Sequence, residues 1–377
     1  MKRYINWLIQ LTLLISSTFH ISAQKINSGE DAITSADLES YVSFLASPLL
    51  RGRMNGDPGL EIAQQFIASQ AKLLGLKPAA GESYFQPYNI KVKSIVREKS
   101  IISIIPGTDD TIIIRQPVYQ MIPDKRLIPS KAFVSGEFTL YNVAAIVEGS
   151  DPVLKNEYVI ISGHVDHIGG SGEIINTGAD DDASGCAALL SMAEAFQSLE
   201  KKPLRSILFL WVSGEEIGLY GSQYYINNPL VPLENTIADL NMDMIGRVKG
   251  VADTTDKTPM TGPDGVFVIT GNQSKELIAI ADEEDQETIL DLDYSLSGRN
   301  HPLQLFSRSD HYNFVKKDIP VLFFTTGLHA DYHTPGDVIE KIDFNKMEKV
   351  TKLMFRIAYA VANRNERIVV DNPYSKW

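Results

Sequence analysis

The sequence predicts an α/β fold over residues 139–377, with a mixed, largely parallel central sheet sandwiched by helices. Three observations predict it. From Thr139 onward, short apolar runs alternate with helix-length segments. Most of those runs are continuously apolar, as strands are when helices cover both faces of a sheet. Polar residues able to do chemistry follow the runs on one side of the strand-to-helix direction, where open α/β sheets place their ligand crevice.

Taken in order, the chain opens with Lys2 and Arg3, a mostly apolar stretch from Trp7 to Ile15, and the small-residue site Ile21, Ser22, Ala23. That is the pattern of an export signal. A membrane anchor needs about 20 apolar residues, and this stretch is shorter. Residues 1–23 are therefore expected to be a signal peptide, and the mature protein to be periplasmic or secreted. Residues 24–138 are expected to form helices and short strands packed on the larger unit. A helix is predicted at Ser35–Ala46 with Ser35 as N-cap, and another at Pro58–Leu74 closed by Gly75. Strands are predicted at Ile101–Ile105 and Thr111–Ile114. In the larger unit the predicted strands are Asn142–Val147, Tyr158–Ser162, Ile207–Val212, Ile237–Met242, Val266–Thr270 and Val321–Thr325. The predicted helices are Ala183–Leu199, Leu219–Asn227, Ser274–Asp285, Asp310–Val315 and Phe344–Ala362.

The composition is globular: of 377 residues, 44% are hydrophobic and 22% charged. Net charge is −12, and −14 once Lys2 and Arg3 leave with the signal. Such a surface is a poor match for nucleic acid, whose binding depends on Lys and Arg neutralising phosphates. The single cysteine, Cys186, rules out an intramolecular disulfide and reads as a buried small hydrophobe. No other run is long and apolar enough to span a bilayer.

Five segments carry the chemistry. They are Gly163 to His167 (GHVDH), Gly178 to Asp182 (GADDD), Gly214 to Glu216 (GEE), Asp243, and Tyr332 to Pro335 (YHTP). In extended backbone, positions i and i+2 face one way, so Asp166 can hold the ring of His164 while His164 offers its other nitrogen to a metal. Adjacent Glu215 and Glu216 diverge, leaving one as ligand and one as free general base. Two imidazoles and three carboxylates suit two borderline cations, one carboxylate bridging. Each segment alone has a bland alternative: a packed histidine, a helix cap, a solvated acidic pair. Their ordered occurrence at strand ends is the signal.

That ordered set closely resembles metallopeptidase family twenty-eight, the co-catalytic di-zinc aminopeptidases, whose relatives include glutamate carboxypeptidases and glutaminyl cyclases. The resemblance extends to Phe44–Arg53 (FLASPLLRGR), Gly75–Pro78 (GLKP) and Tyr84–Pro87 (YFQP). It implies a zinc-dependent exopeptidase architecture, with residues 139–377 as a di-zinc peptidase core. It also implies two Zn2+ per chain: His164 and Asp243 on one, Glu216 and His333 on the other, and Asp181 bridging. Glu215 matches the general base that activates a metal-bridged water, and Asp166 the partner of His164. Tyr332 matches a tyrosine that hydrogen-bonds the oxyanion in some relatives, and Asp310 a segment bordering the substrate pocket, although Asp310 also reads as a helix N-cap. A cis peptide at Asp181–Asp182 is implied as well. His167, His301, His311 and His329 are assigned no metal. The segment between Ile90 and Asn142 is too short for the protease-associated domain inserted in many exported relatives.

The implied function is an exported aminopeptidase acting on peptides with a free N-terminus. The same metals serve a carboxypeptidase or dipeptidase, which would need a cationic pocket; Arg247, Arg299 and Arg308 are the arginines that could converge. A glutaminyl cyclase uses one zinc and lacks the full Asp triplet. A catalytically dead binding ectodomain would lack ligands that this chain keeps.

Overall fold

The computed structural model describes residues 29–92, 101–104, 111–114, 118–121, 127–130, 136–250, 259–288 and 290–377. The predicted signal peptide lies outside the described residues.

The apolar runs pair side by side in one sheet. Its site-bearing part comprises β1 (Phe85–Val92), β2 (Gly136–Val147), β3 (Tyr158–His164), β4 (Ser206–Val212), β5 (Thr236–Met242), β6 (Gly265–Ile269), β7 (Asp291–Asp293) and β8 (Val321–Thr325), in the order β7-β6-β8-β5-β3-β4-β2-β1. The four central strands, β8, β5, β3 and β4, are mutually parallel. β6 and β2 flank them antiparallel. The short strands Leu127–Ser130 and Val118–Met121 extend the sheet beyond β1, and Ile101–Ile104 pairs with Thr111–Ile114 in a separate hairpin. The sheet is thus mixed and largely parallel at its centre, with helices on both faces.

Alternation along the buried strands separates two apolar layers. Val159, Ile161, Ile207, Phe209 and Trp211 face one layer, and Ile160, Leu208, Leu210 and Val212 the other. The first layer is covered by α1 (Ser35–Leu45), α2 (Pro58–Leu73), α3 (Ala183–Ser198), part of α5 (Lys275–Thr288) and α7 (Phe344–Ala362); the second by α4 (Tyr220–Asn227) and α6 (His311–Val315). In α7, Met347, Val350, Met354, Ile357 and Val361 repeat at helical spacing on the buried side. Its start is fixed by Asp343, whose carboxylate accepts the Lys346 N–H at 3.0 Å. No helix among the described residues is long and apolar enough to cross a membrane.

One local expectation needs correction, and one strand has no counterpart in the sequence pattern. The N-cap of α1 is Thr34, not Ser35: Thr34 Oγ1 accepts the Asp37 N–H at 3.1 Å, while the Ser35 N–H is drawn to Glu348 at 2.7 Å. β1 was not predicted, because Pro87 interrupts it. The strand tolerates Pro87 because it pairs along its length with β2 only, and its other side has a register partner at Ile90 alone.

Candidate metal centre

The carboxyl ends of the central strands deliver the site. His164 ends β3, Glu215 and Glu216 lie in the turn after β4, Asp243 follows β5, and His333 lies in the loop after β8. The Asp triplet enters α3, with Asp182 as N-cap. Asp182 Oδ1 accepts N–H groups from Gly185 (2.9 Å) and Met244 (3.2 Å), and Oδ2 accepts that of His164 (3.1 Å). This close approach requires glycine at 185, where a Cβ would come 2.3 Å from the Met242 carbonyl oxygen and 2.5 Å from Asp182 Oδ1. Asp180 ties the triplet to the β5 loop by accepting the Gly246 N–H at 2.6 Å. Asp337 Oδ2 accepts the N–H groups of both Asp180 and Asp181 at 3.1 Å. The Asp181–Asp182 peptide is cis.

The side chain of Asp181 therefore stands between two donor groups. On one side His164 Nε2 lies 3.2 Å from Asp181 Oδ1 and 3.5 Å from Asp243 Oδ1. On the other, His333 Nε2 lies 3.1 Å from Asp181 Oδ2 and 3.0 Å from Glu216 Oε2. His167, which the sequence reading left unassigned, joins this second group, with Nδ1 2.8 Å from Glu216 Oε1. The donor atoms in each group all lie within 4.8 Å of one another. Among the described residues, the buried Asp181 Oδ2 and Asp243 Oδ1 have imidazole nitrogens nearby but accept no hydrogen bond of good geometry. Buried carboxylates crowded around imidazole nitrogens, with lone pairs unused, fit divalent cations of the zinc type.

The ring of His164 is held by Asp166, through its backbone and not, as expected, through its carboxylate. Nδ1 lies 3.0 Å from the Asp166 carbonyl oxygen and 3.8 Å from Oδ1. The carboxylate is drawn away by three other donors: the N–H groups of Glu215 and Glu216, both at 3.2 Å, and Asn55 Nδ2 at 2.6 Å. Asp166 thus shapes the turn that carries the two glutamates.

Glu215 lines the central pocket with His164, Asp181 and Asp243 but belongs to neither donor group. Burial, together with the carboxylates of Glu216, Asp310 and Asp243, pushes its carboxyl well above the usual range, although His164 opposes this. Burial alone would raise Asp181 too, but His167, His164 and His333 hold it well below that range. Tyr332 lines the same pocket, stacks on the His333 ring at 3.8 Å, and accepts a hydrogen bond from Arg308 at 3.2 Å. Asp310 does not reach the pocket lining. It is fully buried beside α4, accepts the Ser222 hydroxyl at 2.5 Å, and makes no side-chain cap bond to α6. Burial raises its carboxyl to about 7.

Of the three arginines, only Arg308 borders the pocket. Arg247 pairs with Asp331 at 2.7 Å, and Arg299 stacks on Trp377 at 3.3 Å. Sequence reasoning missed Arg53, Asn55, His167 and Asp337. Arg53 and Asn55 lie in or beside the Phe44–Arg53 segment, and His167 lies three residues past His164. Those positions were the available signals.

Comparison with known proteins gives a consistent picture. The model of peptidase family M28 matches residues 142–358. Leupeptin-inactivating enzyme 1 of Streptomyces exfoliatus is 35% identical over 117 residues, 31% of this chain and 25% of that protein. A probable leucine aminopeptidase of Arthroderma otae is 28% identical over 233 residues, 59% of this chain and 58% of that protein. The chain thus spans between a quarter and about three fifths of these curated relatives. Among solved structures, the aminopeptidase from Aneurinibacillus sp. strain AM-1 superposes with a TM-score of 0.65 at 18% identity, covering 92% of this chain and 98% of that one. The glutaminyl cyclase of Porphyromonas gingivalis superposes at 0.55 and 15% identity, covering 87% and 98%. At these identities the superpositions speak for the fold.

Proposed function

The chain belongs to peptidase family M28, and from that premise we propose that it is a zinc-dependent exopeptidase, an aminopeptidase acting on peptides with a free N-terminus. The observation that carries the reading is Asp181 shared between two donor groups, with an uncommitted Glu215 beside them. His164, Asp181 and Asp243 would hold one zinc, and Asp181, Glu216 and His333 the other. Bound there, zinc supplies Lewis acidity to the scissile carbonyl and lowers the pKa of a water. Glu215 takes a proton from the attacking water and returns it to the leaving amine. Glu215 lies in the pocket beside both donor groups and belongs to neither, which leaves its carboxylate free to carry that proton. Tyr332 accepts from Arg308, which leaves its own O–H free to donate to the developing oxyanion. Met244, Leu305, Phe323 and Leu328 form the apolar wall that would receive a substrate side chain. Export through residues 1–23 to the periplasm or beyond is part of the same proposal.

One observation favours a second reading. Arg308 at the pocket is a cation that could meet a substrate carboxylate, as a dipeptidase or carboxypeptidase requires. The test is a turnover profile on amino-acid anilides, N-acetylated peptides and C-amidated peptides, before and after chelation. Cleavage of anilides and amidated peptides, lost on N-acetylation and on chelation and restored by zinc, supports the aminopeptidase. Cleavage of N-acetylated peptides that fails on C-amidation moves the assignment to a carboxypeptidase.

A further inference from the structure

His167 is buried and belongs by distance to the second donor group, which makes it a candidate ligand. Its surroundings argue for a different job. We infer that His167 is a positioning residue: its Nδ1–H holds Oε1 of Glu216, so that Oε2 is the oxygen presented toward His333. The inference rests on the zinc reading proposed above.

Three observations carry it. Nδ1 sits 2.8 Å from Glu216 Oε1 but 3.6 Å from Asp181 Oδ2, a hydrogen-bond distance to one carboxylate and not to the other. The other Glu216 oxygen, Oε2, faces His333 Nε2 at 3.0 Å, so the two carboxylate oxygens have separate partners. Finally, His167 Nε2 is buried and has no hydrogen-bond partner among the described residues.

The last observation decides between ligand and positioner. A histidine bound to metal through one nitrogen carries its proton on the other, and that N–H is almost always given to an acceptor. His164 shows this pattern, since its Nε2 faces the carboxylates and its Nδ1 meets the Asp166 carbonyl oxygen at 3.0 Å. In His167 the arrangement is inverted. Were Nδ1 to ligate, the proton would move to Nε2, where no described residue accepts it, and a buried donor would go unsatisfied. With the proton on Nδ1, the one N–H is satisfied by Glu216 and only a lone pair is left idle.

The ring is held in a fitted slot. Its backbone N–H donates to the Arg53 carbonyl at 3.1 Å, and the Arg53 guanidinium donates to the Gly178 carbonyl at 3.0 Å. Gly178 has φ of +59°, and a Cβ there would come 2.7 Å from Cγ and Cδ2 of the His167 ring. The ring therefore packs directly against the backbone at the entry to the Asp triplet, and a side chain at 178 would displace it.

The test compares His167→Asn with His167→Leu. Asparagine places an amide N–H near the position of Nδ1 but has no ring nitrogen to give a metal, and leucine gives neither. Zinc content is measured during titration with a competing chelator, with thermal unfolding as a check on the fold. The wild type should hold two zinc ions. Asn should keep the second within about threefold of wild-type affinity, and Leu should weaken it by roughly 10- to 100-fold. Loss in Asn equal to that in Leu would overturn the inference in favour of ligation, and wild-type affinity in both would overturn it in favour of no role. A wild type that binds no zinc would sink the peptidase reading itself, a distinguishable result. Independently of any variant, ring 15N shifts of the zinc-loaded protein report which nitrogen bears the proton. A proton on Nε2 of His167 would refute the assignment.

Discussion

Replacing Arg53 by methionine should destabilise the fold and loosen the metal centre together. The side chain is 1% exposed, and no carboxylate makes an ion pair with it among the described residues. Its guanidinium donates to the carbonyls of Val165 (2.7 Å), Leu45 (2.5 Å), Thr177 (2.7 Å) and Gly178 (3.0 Å), and at longer range to that of Asp181 (3.4 Å). Hydrogen bonds from a charged donor contribute about 1.5–3 kcal/mol each, so losing the four shorter ones is a gross loss on the order of 10 kcal/mol. Methionine recovers the desolvation cost of a buried cation, which is several kcal/mol; that cost is also what lowers the Arg53 pKa. The net expectation is about 3–5 kcal/mol of destabilisation, a fall in Tm of roughly 4–7 °C for a chain of this length. Because Val165 and Gly178 flank ligand-bearing segments, zinc affinity should fall in the same variant. Differential scanning calorimetry and zinc titration read both. A Tm within about 2 °C of wild type would show that the four carbonyls find other donors and that Arg53 is no clamp.

The two glutamates should fail differently. Glu215→Gln should keep its zinc and lose roughly 100- to 10,000-fold in kcat, whereas Glu216→Gln should lose zinc itself; metal analysis alongside rates separates them, and the opposite pattern would reverse the assignments. A third expectation concerns pH. Burial pushes His311 down to about 3, with Nε2 on the Phe306 carbonyl oxygen at 2.9 Å. Its folded pKa lies below its unfolded value, so the unfolded chain binds the extra proton and stability falls as pH drops from about 6.5 toward 3. His311→Gln keeps an N–H for Phe306 and should flatten that fall by a few kcal/mol in urea unfolding. Equal slopes in both proteins would count against a neutral buried His311.

The central strands were legible because a strand buried on both faces has no polar alternate to confuse its reading; Val321–Thr325 matches to the residue. β3 and β2 run longer than their apolar runs, for different reasons. β3 continues through Gly163 to His164 because Trp211 and Val212 of β4 still pair with it. β2 begins at Gly136 because β1 supplies partners as far back as Val92. Such extensions depend on a neighbour distant in sequence, which a local pattern does not contain. The same holds at the site. His164 and Glu215 stand beside glycines at strand ends, a local signal. Asp337 looks like an ordinary loop acid until the fold brings it under the triplet, and His167 looks like a spare histidine until Gly178 opens a slot for its ring.

The acids outside the two donor groups explain how the acids within them are held. Asp166 accepts from Glu215 and Glu216; Asp182 from His164 and Met244; Asp180 from Gly246; Asp337 from Asp180 and Asp181. The segments bearing His164, Asp181, Glu216 and Asp243 are thus each pinned through the backbone by a carboxylate from another segment. The donors are backbone groups that do not titrate, so the frame depends on its acceptors, the carboxylates of Asp166, Asp180, Asp182 and Asp337. The cost is electrostatic. Asp182 is pushed well above the usual carboxylate range, first by burial and then by Asp243, and Glu215 is raised in the same way. A cluster of like charges in a buried site is most relaxed when cations join it. The frame fixes where the donors stand, and the charge it concentrates there creates the demand for cations. The two requirements are met by different carboxylates of one segment: Asp180 and Asp182 build the frame, and Asp181 faces the centre.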